Sequence, residues 1–341
     1  MLLLTGATGL VGSTLLGRLL AEGADVRCLV RDPRRLGAQR VRVQIALGDL
    51  TDPPSFRNAL RGVQTVVHLA ASIRDQPGGS IEELDGIATW RMVEAAERQG
   101  VERFVFFSAL GASMHSRARA LRAKALAEQA VREADLQSIV FAPSIIYAPR
   151  DPWLTLLERL ALLPVMPVSG RGRAVFQPIW AEDVAACVSA ALRAQDAPRR
   201  ARYELAGPET LTHNEIVRTV LHALGRRRAL VHMPTPLVSR GLRLLERIAG
   251  AGVFATWDEA ELMEVSMTSA APRAARWPER EAWTLRRCRP PRRRAAGGAA
   301  PTASPVPAAR RARAASPRPR AARRAARPTA GCHPRGRAAL R

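Results

Sequence analysis

The stretch Thr5-Gly-Ala-Thr-Gly-Leu-Val-Gly12 places Gly6, Gly9 and Gly12 at even spacing. It stands between a short apolar run, Leu2–Thr5, and an amphipathic pattern carrying Leu15, Leu16, Leu19 and Leu20. A strand that turns through glycines into a helix lets the backbone approach a bound group closely and points free N–H groups and the positive helix end at an anion. The third glycine allows helix and strand to pack tightly. The motif therefore predicts a diphosphate-binding turn, with Gly6, Thr8, Gly9, Leu10, Val11 and Gly12 around a dinucleotide.

Outward from that turn, apolar runs alternate with helical patterns. Strands are predicted at Leu2–Thr5, Asp25–Val30, Val41–Ala46, Thr65–Leu69, Arg103–Phe107 and Leu136–Phe141, with helices over Leu10–Ala21, Ile87–Gln99 and Arg117–Glu133. Such alternation predicts an α/β chain of the Rossmann type, a doubly wound parallel sheet with helices on both faces. Beyond Pro143 the regularity weakens. A small substrate lobe is expected from Trp153–Leu163 and the segments after Pro208, with a helix at Glu182–Arg193 returning to the sheet. The expected organisation is a dinucleotide-binding domain over 1–150, the small lobe over 151–270, and a tail from 271 to 341.

The formal charge of +23 has to be located before it is interpreted. Residues 271–341 hold 20 arginines and two acids, and 56 of these 71 residues are Arg, Ala, Pro or Gly. With almost no branched aliphatic side chains, this segment has no burial to offset the entropy of ordering, so disorder is expected. Two readings stand for it: a basic arm for nucleic acid, or the product of a shifted frame in a G/C-rich gene, whose codons write these four residues. The remaining body carries a net charge of only +5. The four cysteines, Cys28, Cys187, Cys288 and Cys332, form no C-x-x-C pair, so neither a zinc site nor a disulfide framework is predicted. No apolar run approaches the roughly 20 residues of a membrane span, and Met1–Leu4 is too short for a signal-peptide core. A cytoplasmic protein is expected.

The glycine spacing, with Gly48-Asp-Leu50 after the third strand and Val67-His-Leu-Ala-Ala71 ending the fourth, resembles the extended and atypical short-chain dehydrogenase/reductases over residues 1 to about 265. The resemblance implies that Asp49 and Leu50 contact the adenine side of a nicotinamide dinucleotide and that Ala70 and Ala71 lie along its ribose. At the end of the second strand, Val30-Arg-Asp-Pro-Arg-Arg35 offers arginines where a 2′-phosphate would sit and an acid where a ribose 2′-hydroxyl would. Arg31 and Arg35, with Arg34 nearby, favour NADP(H) through forked charge-assisted bonds; Asp32 leaves NAD(H) open.

Carbonyl-reducing members of this family carry Tyr-x-x-x-Lys. The corresponding fragment reads Ala120-Leu-Arg-Ala-Lys124, so the lysine is present and the tyrosine is not. Lys124 is the only lysine among 53 basic residues, and a compact ammonium there suits ribose hydroxyls; the alternative is a surface pair with Glu128. Ser108 lies near the family's catalytic serine, whose usual place is Ala109 or Leu110. Ser113, His115 and Tyr147 are the other candidates to pass a proton. Phe141–Pro149 resembles the family's nicotinamide-lining stretch, which brings in Pro143 and Ile145, and Asp183 is either a helix cap or a site residue.

The family members closest in pattern lack the tyrosine, namely the nucleotide-binding accessory subunit of respiratory complex I with its bacterial relatives and the NmrA-like redox sensors. The resemblance thus implies an NAD(P)-dependent oxidoreductase acting on an unidentified small acceptor. Its alternative is a non-catalytic NADP(H)-binding sensor or assembly subunit.

Overall fold

The computed structural model describes residues 1–269 apart from 77, 150, 195–197 and 250–255. The disorder and nucleic-acid expectations for 271–341 lie outside the described residues. In chain order the elements are β1 (Leu2–Thr5), α1 (Leu10–Ala21), β2 (Val26–Val30), β3 (Gln44–Leu47), α2 (Pro53–Arg57), β4 (Thr65–His68), α3 (Ala88–Arg98), β5 (Arg103–Phe107), α4 (Arg119–Glu133) and β6 (Gln137–Pro143). There follow β7 (Ile146–Tyr147), α5 (Pro152–Leu160), β8 (Met166–Ser169), β9 (Val175–Phe176), β10 (Ile179–Trp180), α6 (Ala181–Arg193), β11 (Arg200–Leu205), β12 (Leu211–Thr212), α7 (His213–Ala223), β13 (Leu230–Met233), α8 (Thr235–Ala249) and α9 (Trp257–Leu262).

Seven strands form one parallel sheet in the order β11-β6-β5-β4-β1-β2-β3. Successive side chains along each strand face opposite sides of a sheet, and the core divides accordingly. Leu4, Val67, Val105 and Phe141 pack with the leucines of α1 and with Val184 and Val188 of α6. Their neighbours Leu3, Val66, Phe104 and Val140 pack on the other face with Phe56, with Met92 of α3 and with Val131 of α4. Both faces are covered, which is why the central strands read as nearly continuous apolar runs. This is the doubly wound α/β arrangement that the alternation predicts.

The chain leaves β1 toward β2 and β3, then crosses back to β4 on the other side of β1. That reversal opens a crevice beyond the carboxyl ends of β1 and β4, the place where doubly wound sheets bind ligands. Beyond β6 a further core joins Leu157 and Ala161 to Met166 of β8 and to Val217, Val220 and Leu221 of α7. Among the described residues no helix is long and apolar enough to cross a membrane.

Several boundaries differ from expectation. Val41 and Arg42 belong to a 3-10 segment, Pro33–Arg42, instead of a strand, so β3 starts at Gln44. The seventh strand, β11, has no counterpart among the predicted strands: Arg200, Arg202 and Glu204 alternate with Ala201, Tyr203 and Leu205, and the charges hide the apolar row. The α6 cap position is Trp180, with no side chain capping, so Asp183 stands in the first turn and is not the cap.

Candidate functional site

The turn after β1 is built around two glycines that no other residue could replace without moving backbone. Gly6 has φ 70°, and a Cβ there would lie 2.6 Å from the Ala70 nitrogen; a Cβ on Gly12 would lie 2.0 Å from the Gly6 carbonyl oxygen. The Gly9 N–H donates to the Gly6 oxygen at 2.9 Å and Gly9 caps α1. No acid stands in the first turn of α1, so the positive helix end is left uncompensated. A cradle that a Cβ would fill, at a helix N-terminus, fits a diphosphate.

This turn forms one wall of a cleft of about 350 Å³, whose lining includes Gly6, Thr8, Gly9, Asp49, Leu50, Ala70 and Ala71. Arg31, Asp32 and Arg35 line its far end. There the Arg31 guanidinium donates to Gln76 Oε1 at 3.2 Å, and the Asp32 carboxylate accepts from the Arg34 N–H at 2.9 Å. Asp49 Oδ1 accepts from both the N–H and the hydroxyl of Thr51, at 3.0 and 2.9 Å, which fixes the loop after β3. Ser72, Gln76 and Leu84 complete the rim, and the glycine spacing says nothing of them because they come from the long connection after β4. Leu10 and Val11 open α1, and Val11 packs on the core beneath it.

Behind the cleft runs a buried polar chain that sequence reasoning missed. The Ala70 N–H donates to Thr5 Oγ1 at 3.3 Å, and that hydroxyl lies 2.9 Å from His68 Nδ1. His68 Nε2 lies 3.1 Å from Thr89 Oγ1, whose hydroxyl donates to the Asp85 carbonyl at 2.5 Å. Because Thr89 spends its only proton on Asp85, it must accept from Nε2, so the neutral ring carries its hydrogen there and Nδ1 accepts from Thr5. Burial, reinforced by the Lys124 charge, pushes the His68 pKa down to about 3. The only sequence signal was an imidazole inside an apolar strand.

Lys124 does not pair with Glu128. Its Nζ donates to Asp85 Oδ1 at 3.1 Å and to the Phe107 carbonyl at 2.7 Å, and it stands 5.0 Å from the Phe106 ring centre. Asp85 is 1% exposed and sits in a π-helical turn, Glu82–Ile87, a form that recurs at functional positions. Burial raises the Asp85 pKa, and the Lys124 charge opposes that rise. Glu128 instead accepts from the Ser108 hydroxyl at 2.6 Å and from Arg202 Nε at 3.0 Å. Neither Lys124, within α4, nor Ser108, just after β5, is among the residues that line the cleft.

Ala120, where the phenol would be, is buried against Ile81 and Ala123. Arg119 beside it holds Asp75, Glu82 and Asp258 at 2.9, 2.6 and 3.2 Å. Arg74 grips Glu259 through two bonds of 2.7 and 3.0 Å, so α9 is fastened to the connection that forms the cleft rim. Pro143 closes β6 and accepts from the Leu110 N–H; Ile145 packs against Leu110, Phe176 and their neighbours. Tyr147 is buried edge-on to Trp180 at 5.0 Å, while in the loop before α4 the His115 backbone N–H donates to the Ser113 hydroxyl oxygen.

Residues 6–159 match the family model described as NAD(P)H-binding. A ceramide reductase of Caulobacter vibrioides is 30% identical over 280 residues, covering 80% of this chain and 87% of that protein. The mitochondrial NADH dehydrogenase [ubiquinone] 1 alpha subcomplex subunit 9 of Arabidopsis thaliana is also 30% identical, over 68% of this chain; the match spans 60% of that subunit's length. Among solved structures, a UDP-glucose 4-epimerase of Thermus thermophilus in complex with NAD superposes with a TM-score of 0.57 at 21% identity, covering 77% of this chain and 97% of that one, a likeness of fold. With the glycine cradle, the sheet order and the missing phenol, these matches establish that the chain belongs to the NAD(P)H-binding atypical short-chain dehydrogenase/reductases.

Proposed function

We propose that the chain is an oxidoreductase of the cytoplasm that prefers NADP(H) and reduces a small-molecule acceptor needing no tyrosine acid. In this reading residues 1–150 bind the dinucleotide and 151–270 supply the acceptor lobe. Gly6, Thr8, Gly9, Leu10, Val11 and Gly12 hold the diphosphate, Asp49 and Leu50 the adenine side, Ala70, Ala71, Pro143 and Ile145 the nicotinamide half. The observation that carries the preference is that Arg31 and Arg35 line the cleft together with Asp32, so that two guanidiniums stand there against one carboxylate, whose Oδ1 already accepts from the Arg34 N–H. Two guanidiniums there suit a 2′-phosphate better than a ribose diol. The name of the ceramide reductase, matched over most of its length, supports reduction as the reaction class.

When bound, the reduced dinucleotide supplies a hydride. What this chain's residues add is positioning: the cradle fixes the diphosphate, Lys124 and Ser108 order the floor, and the proton comes from water or, for a quinone-like acceptor, from the medium. The test is a titration of NADPH against NADH with wild type and Arg31→Ala/Arg35→Ala. Each charge-assisted bond to phosphate contributes about 1.5–3 kcal/mol, so the double variant, which loses at least two, should lose roughly 100- to 10,000-fold in NADPH affinity and little in NADH affinity. Equal losses for both would refute the preference.

A second reading, a sensor or assembly subunit that binds NADP(H) without turnover, is favoured by one observation: Ala120 removes the phenol and Lys124 is already held by Asp85 and the Phe107 carbonyl. NADPH consumption with a panel of quinones and aldehydes separates the two. A nucleic-acid role would belong to residues 271–341 alone, and should vanish on their deletion.

A further inference from the structure

The turns that follow α5 and α7 meet in one surface patch. Arg226 Nη1 and Arg228 Nε both donate to the Ala161 carbonyl, at 3.1 and 3.4 Å, and the Met166 N–H donates to the Ala229 carbonyl at 2.8 Å. Between Ala161 and Met166 lie Leu162, Leu163, Pro164 and Val165, and Val231 follows on β13, which pairs with β8. The Leu162, Leu163, Val165 and Val231 side chains are all exposed, from 41% at Val165 to 64% at Leu162. They are not on a loose loop, because the Leu162 and Leu163 N–H groups bond back to the Arg159 and Leu160 carbonyls.

Three unpaired arginines stand against one exposed carboxylate, Glu158, a helical turn before Leu162. Arg226, Arg227 and Arg228 have no carboxylate within ion-pair distance among the described residues, whereas Arg74, Arg119, Arg193 and Arg202 elsewhere in the chain are each paired. Aliphatic side chains beside unpaired guanidiniums match a surface whose charged layer is phosphate and whose interior is hydrocarbon. A second copy of the chain fits badly, because a two-fold contact through this face would set arginine against arginine.

We propose that this face docks on an anionic lipid bilayer, with Leu162, Leu163, Val165 and Val231 entering the headgroup boundary and Arg226–Arg228 bonding lipid phosphates. The inference stands on the patch and does not depend on which dinucleotide or acceptor the cleft takes.

The arginines of residues 271–341 could themselves attract anionic vesicles, so the experiment reads the face locally. Hydrogen–deuterium exchange of the full chain is followed by peptide with vesicles of phosphatidylcholine containing phosphatidylserine, and with phosphatidylcholine alone. Peptides over 161–166 and 226–231 should gain protection on the anionic vesicles only. Three arginines near such a surface are worth on the order of 100-fold in binding, so Arg226→Gln/Arg227→Gln/Arg228→Gln should raise the lipid concentration for half-protection of these peptides by about that factor. Leu162→Ser/Leu163→Ser, at exposed positions that leave packing intact, should also weaken it. Protection confined to 271–341, equal protection on neutral vesicles, or protection unchanged in both variants would overturn the proposal. Protection by polyglutamate but not by vesicles would assign the face to an acidic protein, and self-association abolished by the leucine variant would assign it to a second copy; either result also overturns it.

Discussion

Replacing Lys124 with methionine removes the cation that Asp85 faces while keeping most of the side-chain volume. Asp85 is almost fully buried, and its carboxylate accepts from the Lys124 ammonium at 3.1 Å. Removing one partner of a buried ion pair costs about 3–5 kcal/mol, because the remaining charge is left uncompensated. Here the carboxylate has an escape: burial already raises its pKa, so in the variant it can take up a proton. A folded-state pKa above the unfolded value means that the contribution to stability is present at low pH and lost as pH rises through the folded value. The deficit of Lys124→Met relative to wild type should therefore be about 3 kcal/mol near pH 7.5 and shrink by up to about 1.4 kcal/mol per unit on acidification. Urea unfolding of both proteins at several pH values above about 6.5 gives this difference directly; below that, losing the Lys124 charge also eases the depression of the His68 pKa, so only the contribution of His213 is common to both. A deficit that is constant with pH, or below about 1 kcal/mol throughout, would refute the buried-pair account. The same protein titrated with NADPH shows whether Lys124 also serves the dinucleotide: a purely structural lysine leaves the affinity of the folded fraction unchanged.

Two further outcomes follow from the buried chain and from Ala120. His68 and His213 are held neutral, with pKa values pushed down to about 3 and about 4, chiefly by burial. A depressed folded value makes their contribution complete above the unfolded pKa near 6.5 and lost as pH falls, so wild-type stability should drop by about 1.4 kcal/mol per unit for each ring between pH 6.5 and 4. Urea unfolding of His68→Gln should show a flatter acid limb; an unchanged slope would contradict the assignment. Ala120→Tyr restores the family's spacing to Lys124, but the ring would enter a site filled by Ile81 and Ala123. Overpacking of this kind costs about 1–3 kcal/mol, so a lowered Tm without new carbonyl reduction is expected, and a stable variant with gained aldehyde turnover would show that the position is still laid out for a phenol.

The parts of this protein that were legible in its sequence are those where one local rule decides. Leu2–Thr5, Leu10–Ala21 and Arg103–Phe107 fall as predicted, because an apolar run, a four-leucine stripe and a glycine turn leave little choice. The cleft wall at Gly6, Gly9, Asp49, Ala70 and Ala71 could be placed for the same reason: it lies within a few residues of strand ends. What stayed hidden depends on contacts distant in sequence. β11 is a strand because β6 offers it an edge, not because Arg200–Leu205 looks like one. Lys124 finds Asp85, 39 residues earlier, in place of Glu128 one turn away, since the π-helical turn swings the aspartate inward. Arg74 meets Glu259 across 185 residues, a pairing that no spacing rule could suggest.

The central claim is that a nicotinamide dinucleotide rests its diphosphate on the turn between β1 and α1. Calorimetric titration of NADPH into the full chain and into Gly12→Ala tests it most directly, because the added Cβ would stand 2.0 Å from the Gly6 carbonyl and must open the turn, while the rest of the cleft lining stays as it is. The account predicts one site per chain in the wild type and an affinity at least about 100-fold lower in a variant whose circular dichroism remains native, the cost of losing two or more charge-assisted amide bonds. Unaltered affinity in folded Gly12→Ala would contradict it.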